Sequence, residues 1–308
     1  MQLSTVVRPV KPHPRKGRII KLLISMGCFV GDGIWRFILK AIGKRPAPTY
    51  VILYYHDVPD AQRQMFARQM DMVLALTVPL ATDDRPELKA GEHYSAITFD
   101  DGFENSLDNA VPELTKRNIP ATFFVTVGFL NRKAEWWPAS APQREQKIAS
   151  SDRWQELPVN LIKIGSHTVT HPHLAMLSEQ DARAELYKSR VALMDILKRN
   201  ILAFSFPYGE FTPSLVEWCY AAGYKQVFTT LPENRFRSAH EVLIGRTAAE
   251  PDDWPIEFRL KLLGAYRWLP FAISCKHKIS KKTIRQALRS SAVRILPSRL
   301  HVGKESTG

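Results

Sequence analysis

Two adjacent carboxylates, Asp100 and Asp101, end the apolar run Ser95–Phe99 and are followed by Gly102. Asp-Gly by itself marks an ordinary hairpin turn. Here the sequel, Phe-Glu-Asn-Ser-Leu-Asp-Asn-Ala-Val-Pro-Glu-Leu, has helical periodicity and not the alternation of a returning strand. Like charges so close raise one another's cost of ionisation, and a bound cation relieves it. A second cluster runs Ser166-His167-Thr168-Val169-Thr170-His171-Pro172-His173. Histidines four apart can face the same way across one turn, and Pro172 disfavours helix at His171, so the turn is expected to end there. Alone, His-x-x-x-His is a weak metal signature. Joined to a carboxylate pair at another strand end, it supplies two imidazoles and one carboxylate and leaves coordination positions open for water, as in a catalytic metal site.

The elements that must carry these residues are short apolar runs, each closed by polar or turn residues. Strands are predicted at Tyr50–Tyr55, Ser95–Phe99, Ala121–Thr126, Leu161–Ile164, Leu202–Phe206, Gln226–Thr230 and Val242–Gly245. Helices are predicted near Gln64–Leu76, Glu104–Arg117, Glu179–Arg199 and Ser214–Ala222, the third opened by a capping-type Ser178-x-x-Asp181. Alternating strands and helices imply a mostly parallel sheet. In a closed parallel barrel, functional groups gather at the carboxyl ends of the strands. Those ends hold His56, Asp100 and Asp101, His167, Tyr208 and Arg246.

Thr98-Phe99-Asp100-Asp101-Gly102, His167-Thr168-Val169-Thr170-His171-Pro172 and Phe206-Pro207-Tyr208-Gly209, in that order, resemble the first three motifs of the polysaccharide deacetylases, the carbohydrate esterase family with the NodB homology domain. Tyr54-Tyr55-His56-Asp57-Val58 resembles the Tyr-His-x-Val start of one branch. The resemblance covers about 49–258. It implies an α/β fold, a distorted (β/α) barrel, and a metal-dependent hydrolase of carbon–nitrogen (non-peptide) bonds. Such an enzyme would remove an N-acetyl or other acyl group from a saccharide in polysaccharide or glycolipid biosynthesis. Carried over by position, Asp101, His167 and His171 would ligate a divalent metal, Zn or else Co, Ni or Mn, and Asp100 would be the catalytic base. A backbone N–H in the Pro207-Tyr208-Gly209 turn would stabilise the oxyanion.

Three departures from the family pattern shape the remaining assignments. Ser205 stands where the third motif usually begins with an Arg that orients the catalytic Asp, and Arg246 is the expected substitute. Asp253-Trp254 loosely matches the fourth motif. The fifth-motif histidine, usually the general acid, has no match, since the only later histidines are His277 and His301. His56 is the preferred replacement, ahead of His173 and His240. Two alternatives stay open: a deformylase or deacylase of a lipid-linked sugar, and a catalytically weakened carbohydrate- or membrane-binding barrel.

The charge distribution separates this body from its flanks. The 308 residues carry 43 Lys and Arg against 30 Asp and Glu, net +13. Residues 1–48 contribute +9, 259–308 contribute +11, and 49–258 is net −7. The reaction site therefore gives no sign of seeking a polyanion, and basic residues are not interleaved with a nucleic-acid recognition fold. Cys28, Cys219 and Cys275 form no Cys-x-x-Cys pair, which argues against a disulfide framework or a cysteine zinc site. Both flanks read as basic, amphipathic, helical extensions that suit an anionic membrane surface or, alternatively, pack their apolar faces on the barrel with the charges left to solvent. No run of about 18 uncharged apolar residues occurs, the amount a spanning helix calls for. The expected location is cytoplasmic or peripheral on the inner face of the cytoplasmic membrane.

Overall fold

The computed structural model describes residues 15–84, 86–232 and 243–272. The chain divides into a compact unit, Met1–Arg267, and a second, Trp268–Gly308. Most of the second unit lies outside the described residues, and with it fall the expectations for Cys275, His277, His301 and the basic C-terminal extension. His240 lies outside them as well.

The first unit opens with helix α1 (Arg15–Ala41). Strands follow at β1 (Thr49–Tyr55), β2 (Val78–Pro79), β3 (His93–Phe99), β4 (Ala121–Val125), β5 (Ile162–Ser166), β6 (Ala203–Ser205), β7 (Gln226–Thr229), β8 (Leu243–Gly245) and β9 (Thr247–Ala248). Helices α2 (Arg63–Leu76), α3 (Glu104–Lys116), α4 (Ser151–Gln155), α5 (Glu179–Leu197), α6 (Pro213–Ala221) and α7 (Pro255–Leu262) are distributed among them. The strands run in the order β8-β7-β6-β5-β4-β3-β1-β9, all parallel, with β2 beside β3. This is a nearly closed parallel barrel of eight strands. Every predicted strand and helix of the body is present within a few residues. Strands of two residues, β2 and β9, carry too little pattern to be read from sequence.

Closure is made by one interrupted strand. β8 pairs with β7 through Thr229↔Gly245, the chain passes Arg246, and β9 pairs with β1 through Leu53↔Thr247. Arg246 therefore sits at the seam.

Period-two alternation sorts each strand into two faces. Val51, Leu53, Tyr55, Ile97, Phe99, Phe123 and Val227 join the layer beneath the helices, where Phe99 and Phe123 stack at 4.4 Å. Tyr50, Ile52, Tyr94, Ala96, Phe124, Ala203 and Phe228 form the separate cluster that fills the barrel. Continuing the inward register beyond each strand end places His56, Asp100, His167 and Arg246 at the same mouth. The backbone fixes their levels: Asp100 N–H donates to Tyr55 O at 2.9 Å, and His167 N–H to Val125 O at 3.0 Å.

Candidate active site

Asp101 falls on the outward register of β3 and reaches the mouth only because its backbone turns left-handed, with φ 69°. Gly102 follows at φ 91°, where an added Cβ would stand 3.1 Å from the Trp154 ring. Non-glycine residues rarely adopt this region, and such strain clusters at functional sites. Thr168 (φ 71°), His171 (φ 56°) and Tyr208 (φ 58°) share it. The two histidines consequently do not lie on the expected helical turn. They are brought together by an irregular loop in which Thr168 Oγ1 accepts from His171 N–H at 3.0 Å.

The adjacent carboxylates have different surroundings. Asp100 is 3% exposed and Arg246 fully buried. The guanidinium donates to both carboxylate oxygens of Asp100 at 2.7 Å, to Ser205 Oγ at 2.7 Å and to Thr98 Oγ1 at 3.1 Å. It lies over the rings of Tyr54 and Phe124 at 4.8 and 5.2 Å. Burial alone would raise the Asp100 pKa, but Arg246, helped by His167 and His56, holds it below the usual carboxylate range. Arg246 thus comes from the barrel seam to the place left free by the small Ser205.

Asp101 instead faces imidazoles. Its Oδ1 lies 3.5 Å from His167 Nε2 and 3.3 Å from His171 Nε2, and its Oδ2 accepts from Trp137 Nε1 at 3.0 Å. His167 Nδ1 lies 2.8 Å from Ser205 O, and a carbonyl can only accept, so the proton sits on Nδ1. Burial pushes the His167 pKa down to about 4 against the pull of Asp100 and Asp101, so the ring is neutral near pH 7. Its Nε2 lone pair is then directed toward a carboxylate oxygen. Asp101 Oδ1 is buried without a hydrogen-bond partner, and one ligand atom each from Asp101, His167 and His171 lies within 4.8 Å of the others. Converging lone pairs on buried N and O atoms fit a divalent cation, and the donor set suits Zn, Co, Ni or Mn.

The remaining wall is aromatic. Trp136 stacks on His171 at 4.8 Å, Tyr208 stacks on His173 at 3.9 Å, and His173 Nδ1 contacts Glu210 at 2.9 Å. In the Pro207-Tyr208-Gly209 turn, Gly209 N–H donates to Phe206 O at 2.9 Å, and proline has no N–H. That leaves the Tyr208 N–H as the donor able to serve an oxyanion. Gly209 is required at φ 65°, where an added Cβ would meet Thr230 Oγ1 at 2.0 Å.

His56 is half-buried at the end of β1, 5.3 Å ring to ring from Trp137, and its ring nitrogens have no hydrogen-bond partner among the described residues. Asp253 and Trp254 stand away from this chemistry. Asp253 pairs with Lys261 at 2.6 Å and accepts from Glu250 N–H, while Trp254 underlies Arg18 at 4.7 Å. The loose fourth-motif match is therefore a docking point for α7 and α1. Trp136, Trp137 and Glu210 were missed by the motifs. The adjacent tryptophans in a long connecting segment were the one available signal.

Comparison with known proteins agrees with this architecture. The polysaccharide deacetylase family profile matches residues 87–227. YxkH of Bacillus subtilis, which bears the name of a polysaccharide deacetylase, is 24% identical over 163 residues, 53% of this chain and 54% of its own. The peptidoglycan-N-acetylglucosamine deacetylase of Bacillus cereus is 28% identical over 124 residues, 40% of this chain and 39% of its own. The chain thus spans about half or less of the length of these curated relatives. Among solved structures, IcaB from Ammonifex degensii superposes with a TM-score of 0.60 at 26% identity, covering 70% of this chain and 98% of that one. The Streptococcus pyogenes deacetylase PplD in complex with acetate shares the fold at a TM-score of 0.52 and 20% identity, covering 68% of this chain and 93% of that one. With its motifs on the strand ends where this barrel places them, the chain matches the polysaccharide deacetylase family over residues 87–227 and has a NodB-type fold.

Proposed function

We propose that this protein is a metal-dependent hydrolase that removes the acetyl group from an N-acetylated saccharide in the assembly of a polysaccharide or glycolipid. One observation carries the reading: of two adjacent buried carboxylates, Asp100 is locked to a guanidinium while Asp101 faces two imidazole nitrogens. The name of the Bacillus cereus relative favours N-acetylglucosamine as the sugar.

Asp101, His167 and His171 would hold the metal. When bound, a divalent cation supplies a Lewis acid for the acyl oxygen and lowers the pKa of water. Asp100, kept ionised by Arg246, accepts the proton of the attacking water through the lone pairs that Arg246 leaves available. The water oxygen joins the acyl carbon, and the Tyr208 N–H faces the oxyanion. Collapse breaks the C–N bond, the amine nitrogen takes a proton, and acetate leaves. His56, at the end of the strand beside the one that carries Asp100 and Asp101 and packed on Trp137, is the proton donor in this scheme. Trp136 and Trp137 offer flat apolar surface to a sugar ring.

Acetate release from N-acetylglucosamine oligosaccharides, measured beside metal analysis, tests the reading. About one metal per chain is expected, with release that stops on chelation and returns on metal addition. A folded protein with neither metal nor release would overturn it in favour of a binding barrel. His56→Ala should lower turnover about 10²-fold or more at unchanged metal content, the ordinary scale for losing a general acid. Unchanged turnover would remove His56 from the mechanism.

A further inference from the structure

Helix α1 is docked with its amphipathicity reversed. A surface helix normally buries its apolar stripe and exposes its charges. In α1 the polar stripe Arg18, Lys21, Ser25, Asp32, Arg36 faces the barrel. Arg18 donates to Glu257 at 2.6 Å and to Asp252 O at 3.1 Å. Ser25 is fully buried, and Asp32 pairs with Arg36 at 2.7 Å and Arg267 at 2.9 Å. The other side is open: Ile20, Leu23, Ile34, Trp35, Phe37 and Ile38 are 58, 64, 57, 59, 73 and 43% exposed. By length and composition, residues 17–41 are apolar enough to cross a membrane.

The apolar face belongs to a segment of strongly positive character. Asp32 is the sole acidic residue among residues 1–48, against ten basic ones. Lys40, Lys44 and Arg45 are exposed at the C-terminal end of the helix. A second copy seated on this face would bring two such segments together, whereas an anionic bilayer would attract both charge and apolar surface. Spanning would withdraw Arg18 from Glu257 and Asp32 from Arg267, and would carry the Asp32–Arg36 pair into the hydrocarbon. The stripe from Arg18 to Arg36 runs about 27 Å along the barrel side.

We infer that α1 lies in the plane of an anionic bilayer, apolar face down, and holds the deacetylase barrel on the membrane surface. The test is flotation of the full chain with vesicles of phosphatidylcholine alone or mixed with phosphatidylglycerol. The chain should float with the mixed vesicles and only weakly with the neutral ones. A Leu23→Glu, Ile34→Glu, Phe37→Glu variant should bind about tenfold or more weakly, since each substitution removes a large side chain from lipid. Its melting temperature should not move, because these side chains pack on solvent. A chain that stays unbound, or a variant that floats like the wild type, would overturn the inference. So would self-association through this face without flotation. Quenching of Trp35 by brominated lipids, taken as the difference from Trp35→Phe, should be strongest for bromines just below the headgroups. Maximal quenching by bromines at the bilayer centre would overturn the in-plane orientation.

Discussion

Asp100→Asn should lower turnover on an N-acetylated saccharide by about 10²–10⁴-fold, the range for removing a general base. Metal content should stay near that of the wild type, because the proposed ligands Asp101, His167 and His171 would hold the cation without Asp100. The amide cannot accept from the guanidinium on both arms, so Arg246 loses half of its bidentate partner and the fold weakens as well. Turnover is therefore compared at a temperature where circular dichroism shows both proteins folded. A variant within tenfold of the wild type would dismiss Asp100 as the base. One that lost its metal would mean that the two carboxylates do not divide their labour as proposed.

Arg246→Met gives the second large effect, on stability and pH dependence together. Removing one partner of a buried pair leaves an uncompensated charge and costs about 3–5 kcal/mol. In the wild type the folded-state pKa of Asp100 is depressed below its unfolded value of about 3.9. Its contribution to stability is present above that unfolded value and is lost as pH falls through the depressed one. In the variant, burial acts without the counter-charge and the folded-state pKa is raised. The sign reverses: the variant suffers most at neutral pH and recovers part of its deficit as pH falls toward the raised value. The acid limb of its pH–turnover profile should move to higher pH. Arg246→Lys should recover part of the stability and less of the turnover, since an ammonium cannot donate to both oxygens as a planar fork does. An unmoved acid limb in Arg246→Met would make Arg246 merely structural, whatever the melting temperature showed.

The barrel was legible because its strands obey a period of two and its helices a longer period, so elements appear as changes of rhythm. The convergence of His56, Asp100, His167 and Arg246 follows from counting along that alternation. Asp101 and His171 illustrate the limit. Their spacing was visible, but each reaches the site through a left-handed backbone that no side-chain pattern announces, and His171 does so although a proline follows it. Arg246 could be guessed as a substitute for the missing third-motif arginine. Its pairing with Asp100, 146 positions away, depends on barrel closure. The amphipathic stripe of α1 was also legible, while the side facing the barrel was not. That side is set in part by Asp253 and Glu257, a local acidic surface that attracts Arg18.

The interrupted strand at the seam also leads us to expect a late step in folding. Joining β9 to β1 links residues 53–54 to 247–248, a loop closure late in entropic terms and of high contact order. A chain with β1 through β7 assembled already possesses Asp101, His167 and His171, yet Arg246 arrives only with the final joining. Such an open form could capture a cation before Asp100 has a counter-charge. Metal uptake would then precede catalytic competence, and acquisition of activity would report the sealing of the barrel.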